Sequence, residues 1–128
     1  MSHSDEGSRY SSLEWVESAV IPGVRFAIRR ISLALRVEIT RRIQRLLAEL
    51  EYREGGEGLE DRLSAATVAA EVDMAYLGWG LAHIEGLAID GDAATASTLA
   101  ENGPEALSRE IAKAIRDRCH VTEPERKN

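Results

Sequence analysis

The sequence predicts an α+β fold that is predominantly α: two long antiparallel helices plus a C-terminal helix, with a small β-hairpin or short antiparallel sheet. Three observations lead there. Residues 33–53 and 59–82 carry apolar side chains at steps of three and four, and Gly55-Gly56-Glu57-Gly58 separates them. Residues 24–29 alternate apolar and polar, the period of a strand with one buried face. Asp90-Gly91 is a strong hairpin-turn dipeptide.

A chain of 128 residues favours one domain with a single core. Residues 1–11 are polar, serine-rich and aperiodic, which predicts a mobile tail. The globular domain is then 12–121, followed by a short tail or helix start at 122–128. Hydrophobic residues make up 44% of the chain but only two Trp, three Tyr and one Phe are present, so the interior must be aliphatic. No apolar run approaches the ~20 residues that span a bilayer, and the N-terminus lacks a basic region followed by an apolar one. One cysteine, Cys119, allows no intramolecular disulfide. These features predict a cytoplasmic protein.

Taken in order, Ser12 is placed to cap a short helix carrying Leu13, Trp15, Val16 and Val20, which Pro22-Gly23 ends. A strand follows, with Val24, Phe26 and Ile28 inward and Arg25, Ala27 and Arg29 outward. In the first long helix Leu33, Val37, Thr40, Ile43, Leu47 and Leu50 form the apolar stripe. In the second, Leu63, Ala66, Ala70, Met74, Leu77 and Leu81 share a face, and its alanines keep it slim enough for close packing. At about 1.5 Å per residue it is roughly 35 Å long, matched to the first helix and suited to an antiparallel pair.

Gly86 breaks the helical spacing of Ile84, Leu87 and Ile89, so 83–89 reads as extended, with Ala93-Ala94 as a brief return strand and 24–29 as a pairing partner. Thr95 offers an N-cap for a helix over 96–101. Pro104 and Glu105 open the last helix, 104 to about 118, whose buried stripe is Leu107, Ile111, Ala114, Ile115 and Cys119. Thr122-Glu123-Pro124-Glu125 has the form of a further capping box.

Catalytic and metal motifs are sparse. His83 has no second histidine at three or four residues, as a helical metal pair requires, and reads as a satisfied or solvent-facing residue. Cys119 and His120 are adjacent, a poor arrangement for thiol activation, so Cys119 reads as a small core residue. Asp90 and Asp92 lack the remaining oxygen ligands of a calcium loop, and the glycine loop at 55–58 lacks the Lys and Ser/Thr of a phosphate loop. Nothing here calls for a cofactor.

Charge is uneven. Net charge is −6, yet Arg25, Arg29, Arg30, Arg36, Arg41, Arg42 and Arg45 lie in 21 residues with one acid, Glu38, whereas residues 61–128 hold 12 acids against 7 bases. Pairing between the two halves is the simplest account. A nucleic-acid-binding regulator using the Arg25–Arg45 segment is the alternative, with Phe26 as its sole aromatic.

Residues 71–128 resemble the tail-assembly chaperones of long-tailed phages and prophages. The matching pieces are Tyr76-Leu77 with Trp79-Gly80-Leu81, IEGLAIDG at 84–91 with Ala94-Thr95, Gly103-Pro104-Glu105 leading into Glu110-Ile111, and the ending Glu125-Arg126-Lys127-Asn128. RFAIRRIS at 25–32 is a looser echo. The resemblance implies a non-enzymatic assembly factor that keeps the tape-measure protein soluble, helps tail-tube subunits polymerise around it, and is absent from the finished virion. It also implies that a longer form made by frameshifting often accompanies the shorter one.

An amphipathic client helix would then sit on slim, apolar helix faces, with Ala66, Ala70, Leu77 and Trp79 as candidate contacts. Arg41, Arg42 and Arg45 are the candidate polar contacts. A homo-oligomer is a further possible state.

Overall fold

The computed structural model describes residues 7–54 and 58–119; within that span the side chains of 50, 52–54, 59 and 61–63 are not described. In chain order the elements are β1 (Leu13–Glu17), β2 (Arg25–Arg29), α1 (Leu33–Glu54), α2 (Leu59–Gly80), β3 (Leu81–Glu85), β4 (Ala88–Ile89), β5 (Asp92–Ala93), α3 (Ala96–Asn102) and α4 (Glu105–Cys119). This is an α+β fold with four helices and a small antiparallel sheet. Besides the two long helices and the C-terminal helix it includes the short α3. The capping-box signal at Thr122 lies outside the described residues.

The first departure from the sequence reading is at 13–17, a strand rather than a short helix. Side chains in LEWVE alternate between faces once β2 is available as a partner, and pairing outweighs the weak preference of five residues for a helical turn. Trp15 pairs with Ala27, and Val16 with Phe26. The chain reverses through Ser18, whose hydroxyl accepts from the Val20 and Ile21 amides at 3.0 and 2.9 Å. Pro22-Gly23 is therefore part of a hairpin connection.

The strand at 24–29 is as expected: Val24, Phe26 and Ile28 are buried, Arg25 and Arg29 exposed. It is the central strand of a sheet ordered β1-β2-β3, antiparallel throughout. The extended segment at 83–89 divides at Gly86. Its first part joins β2, and Ala88–Ile89 pairs with Asp92–Ala93 in a separate two-stranded ribbon. Asp90 and Gly91 both have positive φ, 53° and 89°, as the tight hairpin turn demands.

Gly86 has φ of 89°, and a Cβ there would strike the carbonyl oxygen of Gly23, so glycine permits both the bend and the close passage of the two loops.

The core runs continuously from the inner sheet face to the helices. Phe26, Ile28, Leu77, Leu99, Leu107, Ile111 and Ile115 are its largest fully buried side chains. The α4 stripe is the predicted one, except that Ala112 is buried whereas Ala114 and Cys119 are only partly so. Thr95 caps α3: its hydroxyl accepts from the Thr98 amide at 3.1 Å, and the Thr98 hydroxyl accepts from the Thr95 amide at 2.9 Å.

The long helices bury only part of the predicted stripes: Ile43, Leu77 and Leu81 are buried as expected, Leu50 and Leu63 lie outside the described side chains, and the remaining buried positions differ. On α1 the inward residues are Ile39 and Ile43, with Leu46 partly buried; Leu33, Val37 and Leu47 point outward. On α2 the buried set is Ala65, Val68, Val72, Ala75, Tyr76 and Leu77, whereas Met74 is 53% exposed. Both helices carry apolar side chains around much of their circumference, so three-and-four spacing alone selects no unique side.

Two ionic clamps hold the N-terminal hairpin to α4. The Glu110 carboxylate accepts from the Ser18 hydroxyl at 2.7 Å and the Ala19 amide at 2.6 Å. Arg118 donates through Nε and Nη2 to the two oxygens of Glu14 at 3.0 and 3.1 Å, with Arg30 3.8 Å away.

The hydrogen bond from Arg118, supplemented by the charges of Arg118 and Arg30, holds the Glu14 carboxyl below its ordinary value of 4.5 against the opposing effect of partial burial. A depressed folded pKa stabilises the fold above the unfolded value, and that stabilisation is lost as pH falls through the folded one. Thermal melts of the native chain and Glu14→Gln should differ most near neutral pH and converge in acid. Because the carboxylate is partly solvated, the largest gap should stay within about 1 kcal/mol.

Gly80, the last residue of α2, sits where a Cβ would lie 2.7 Å from Ile115 Cγ2, whereas a Cβ at Gly78 meets nothing within 4 Å. Gly80→Ala should cost about 1–3 kcal/mol through overpacking. Gly78→Ala should be neutral or stabilise by up to about 1 kcal/mol. Urea unfolding of the two variants checks the contrast.

Candidate functional site

Two grooves flank α2. The larger, about 840 Å³, lies between the long helices and is lined from α1 by Ala34, Val37, Glu38, Arg41, Arg42, Arg45 and Leu46, and from α2 by Glu71, Met74 and Ala75. The smaller, about 270 Å³, lies between α2, α3 and α4 and includes Ala70, Asp73, Met74, Leu77, Ala100 and Arg109. Met74 lines both, a half-exposed apolar ridge between them.

The larger groove follows from how α1 is turned. With Ile39 and Ile43 committed to the core, the adjacent strip at 34, 37, 38, 41 and 45 lies beside α2 without being covered by it. Val37 is 50% exposed. Together with Met74, Ala34 and Ala75 it gives the groove an apolar floor, and the arginines stand along it.

Polar groups of the smaller groove are occupied with one another. Asp73 accepts from Arg109 at 3.3 Å and from Arg116 at 3.2 Å, and Arg109 also pairs with Glu105 at 2.7 Å.

The structure divides the arginine-rich segment. Arg25 pairs with Glu85 at 2.7 Å, Arg29 donates to the Trp79 carbonyl at 3.3 Å, Arg30 donates to the Ser11 carbonyl at 3.0 Å, and Arg36 donates to the Cys119 carbonyl at 2.8 Å. Arg41, Arg42 and Arg45 are exposed and make no hydrogen bond or ion pair with a described residue. Of the first four, only Arg25 pairs with an acid of the second half; Arg29 and Arg36 hold backbone carbonyls, and Arg30 lies 3.8 Å from Glu14.

Of the other candidate contacts, Ala66 is exposed but lines neither groove, and Ala70 lines the smaller one. Leu77 borders that groove yet is 1% exposed, so it is a core residue and not a docking surface. Trp79 packs partly buried against the core, with its indole N–H buried and unpartnered among the described residues. Both sit at the end of α2 where the sheet and α4 converge. Val37 and Met74, assigned by their spacing to buried stripes, are the large apolar side chains that the groove displays.

On the outer sheet face Trp15 stacks with His83, ring centres 6.2 Å apart and planes 12° from parallel, and the Arg25 guanidinium lies 4.2 Å from the Trp15 ring centre. Ala27, between Trp15 and His83 in the register, is fully buried beneath them. His83 is exposed, as expected. Cys119 is half-buried, and burial pushes its thiol up, against the opposing charge of Arg36. Among the described residues no charged side chain is buried, and no group of three or more His, Cys, Asp or Glu side chains is placed to hold a metal. No described helix is long and apolar enough to cross a membrane.

Comparison with known proteins returns no matching family model, no matching curated protein and no matching solved structure.

Proposed function

We propose that this protein is a non-enzymatic tail-assembly chaperone of a long-tailed phage or prophage, which binds the tape-measure protein in the bacterial cytoplasm and promotes tail-tube assembly around it. The resemblance across residues 71–128 supplies the identity of the client. The observation that supports a helix-binding role is Met74, half-exposed between two grooves, with Val37 exposed across the larger one. A tape-measure protein is long and hydrophobic, and its amphipathic helices would find apolar anchoring positions there.

The alternative, a nucleic-acid-binding regulator, would draw on the whole arginine-rich segment. Four of its seven arginines are engaged within the chain, which favours a protein partner.

Co-expression with the tape-measure gene of the same genome tests the proposal. The two proteins should co-purify, and Met74→Glu should lower the yield of soluble tape-measure protein while leaving the chaperone's own melting temperature nearly unchanged. Failure of the native pair to co-purify at several salt concentrations would remove the proposal.

A further inference from the structure

The groove between the long helices has a chemical character of its own. Its floor is apolar, through Ala34, Val37, Leu46, Met74 and Ala75, and its charged lining is Arg41, Arg42 and Arg45 against Glu38 and Glu71. None of the three arginines is neutralised by a described residue. Arg41 and Arg45 are four apart, so they lie on one side of α1 about 6 Å apart along its axis.

We infer that this groove takes an amphipathic helix whose apolar stripe is bordered by acidic side chains, an inference that rests on the chaperone reading for its biological client. The dimensions agree with such an occupant. Ala34 to Leu46 extends about 18 Å along α1, room for three turns of a partner helix with apolar anchors at i, i+3 or i+4, and i+7. Carboxylates at i and i+4 beside that stripe match the Arg41–Arg45 spacing. The apolar floor supplies affinity, while the exposed arginines, screened by salt, set orientation and association rate.

Two other occupants fit less well. A two-fold pairing of this face with a second copy would bring the arginines of both copies, Arg41, Arg42 and Arg45, into one interface against the fewer carboxylates of Glu38 and Glu71. Nucleic acid would place phosphates against those two carboxylates and over a floor with no aromatic ring for base stacking.

The test uses the full chain and two stapled helical peptides with one leucine stripe, flanked by Glu in one and by Lys in the other. Labelled single- and double-stranded DNA of matched length serve as further probes. Anisotropy should show the Glu peptide binding at least about tenfold more tightly at low salt, with the preference shrinking as salt rises. The combined variant Arg41→Glu, Arg42→Glu, Arg45→Glu should reverse the preference, and Val37→Asp should weaken both peptides, with melting curves confirming that each variant is folded.

Equal binding of the two peptides, binding of neither, DNA binding lost in the triple variant, or a dimer that the Glu peptide dissociates would each overturn the inference. Tape-measure co-purification that survives the triple variant would overturn it too, while leaving the chaperone reading intact. The Glu preference in a chain that captures no tape-measure protein would support the groove and remove the chaperone reading.

Discussion

The fold hinges on the approach of α4 to the end of α2, where Gly80 leaves room for Ile115. No residue intervenes between helix and sheet: α2 ends at Gly80, β3 begins at Leu81, and the Leu81 amide still donates to the Leu77 carbonyl. The position of α4 therefore fixes where the sheet begins. From there α4 grips the N-terminal hairpin through Glu110 and Arg118, and the inner sheet face closes over Leu107, Ile111 and Ile115. A single missing side chain thus couples helix packing to sheet placement.

The long helices outreach the sheet. Each has 22 residues, about 33 Å of helix, whereas a five-residue strand covers only about 17 Å. The sheet, α3 and α4 gather around the C-terminal part of α2, and α2 is the main neighbour of α1. The apolar residues of α1 exceed what that contact buries, and Leu33, Val37 and Leu47 face out.

Legibility followed from how far one period dominated a segment. Strand 24–29, the Asp90-Gly91 turn, the capped α3 and the α4 stripe each admit one arrangement, and each was readable. The segment at 13–17 was not, because five residues fit a helical turn as easily as a strand and Pro22-Gly23 can end either. The buried side of α2 was unreadable for a different reason. Ala65, Val68 and Val72 on one face compete with Ala66, Ala70 and Met74 on another, and only the neighbours decide between them.

The arginines show what composition could not separate. In sequence Arg25 to Arg45 is one basic block, and its natural counterpart is the acidic second half. Folding spends its early members on local tasks: Arg25 holds Glu85 across the sheet, and Arg36 takes the last carbonyl of α4. Arg41, Arg42 and Arg45 sit farther along α1, where no described acid pairs with them. Charges left unpaired beside exposed apolar side chains are what the proposed helix-binding role would use. In that role the apolar lining would supply affinity and the arginines a basis for choosing the partner.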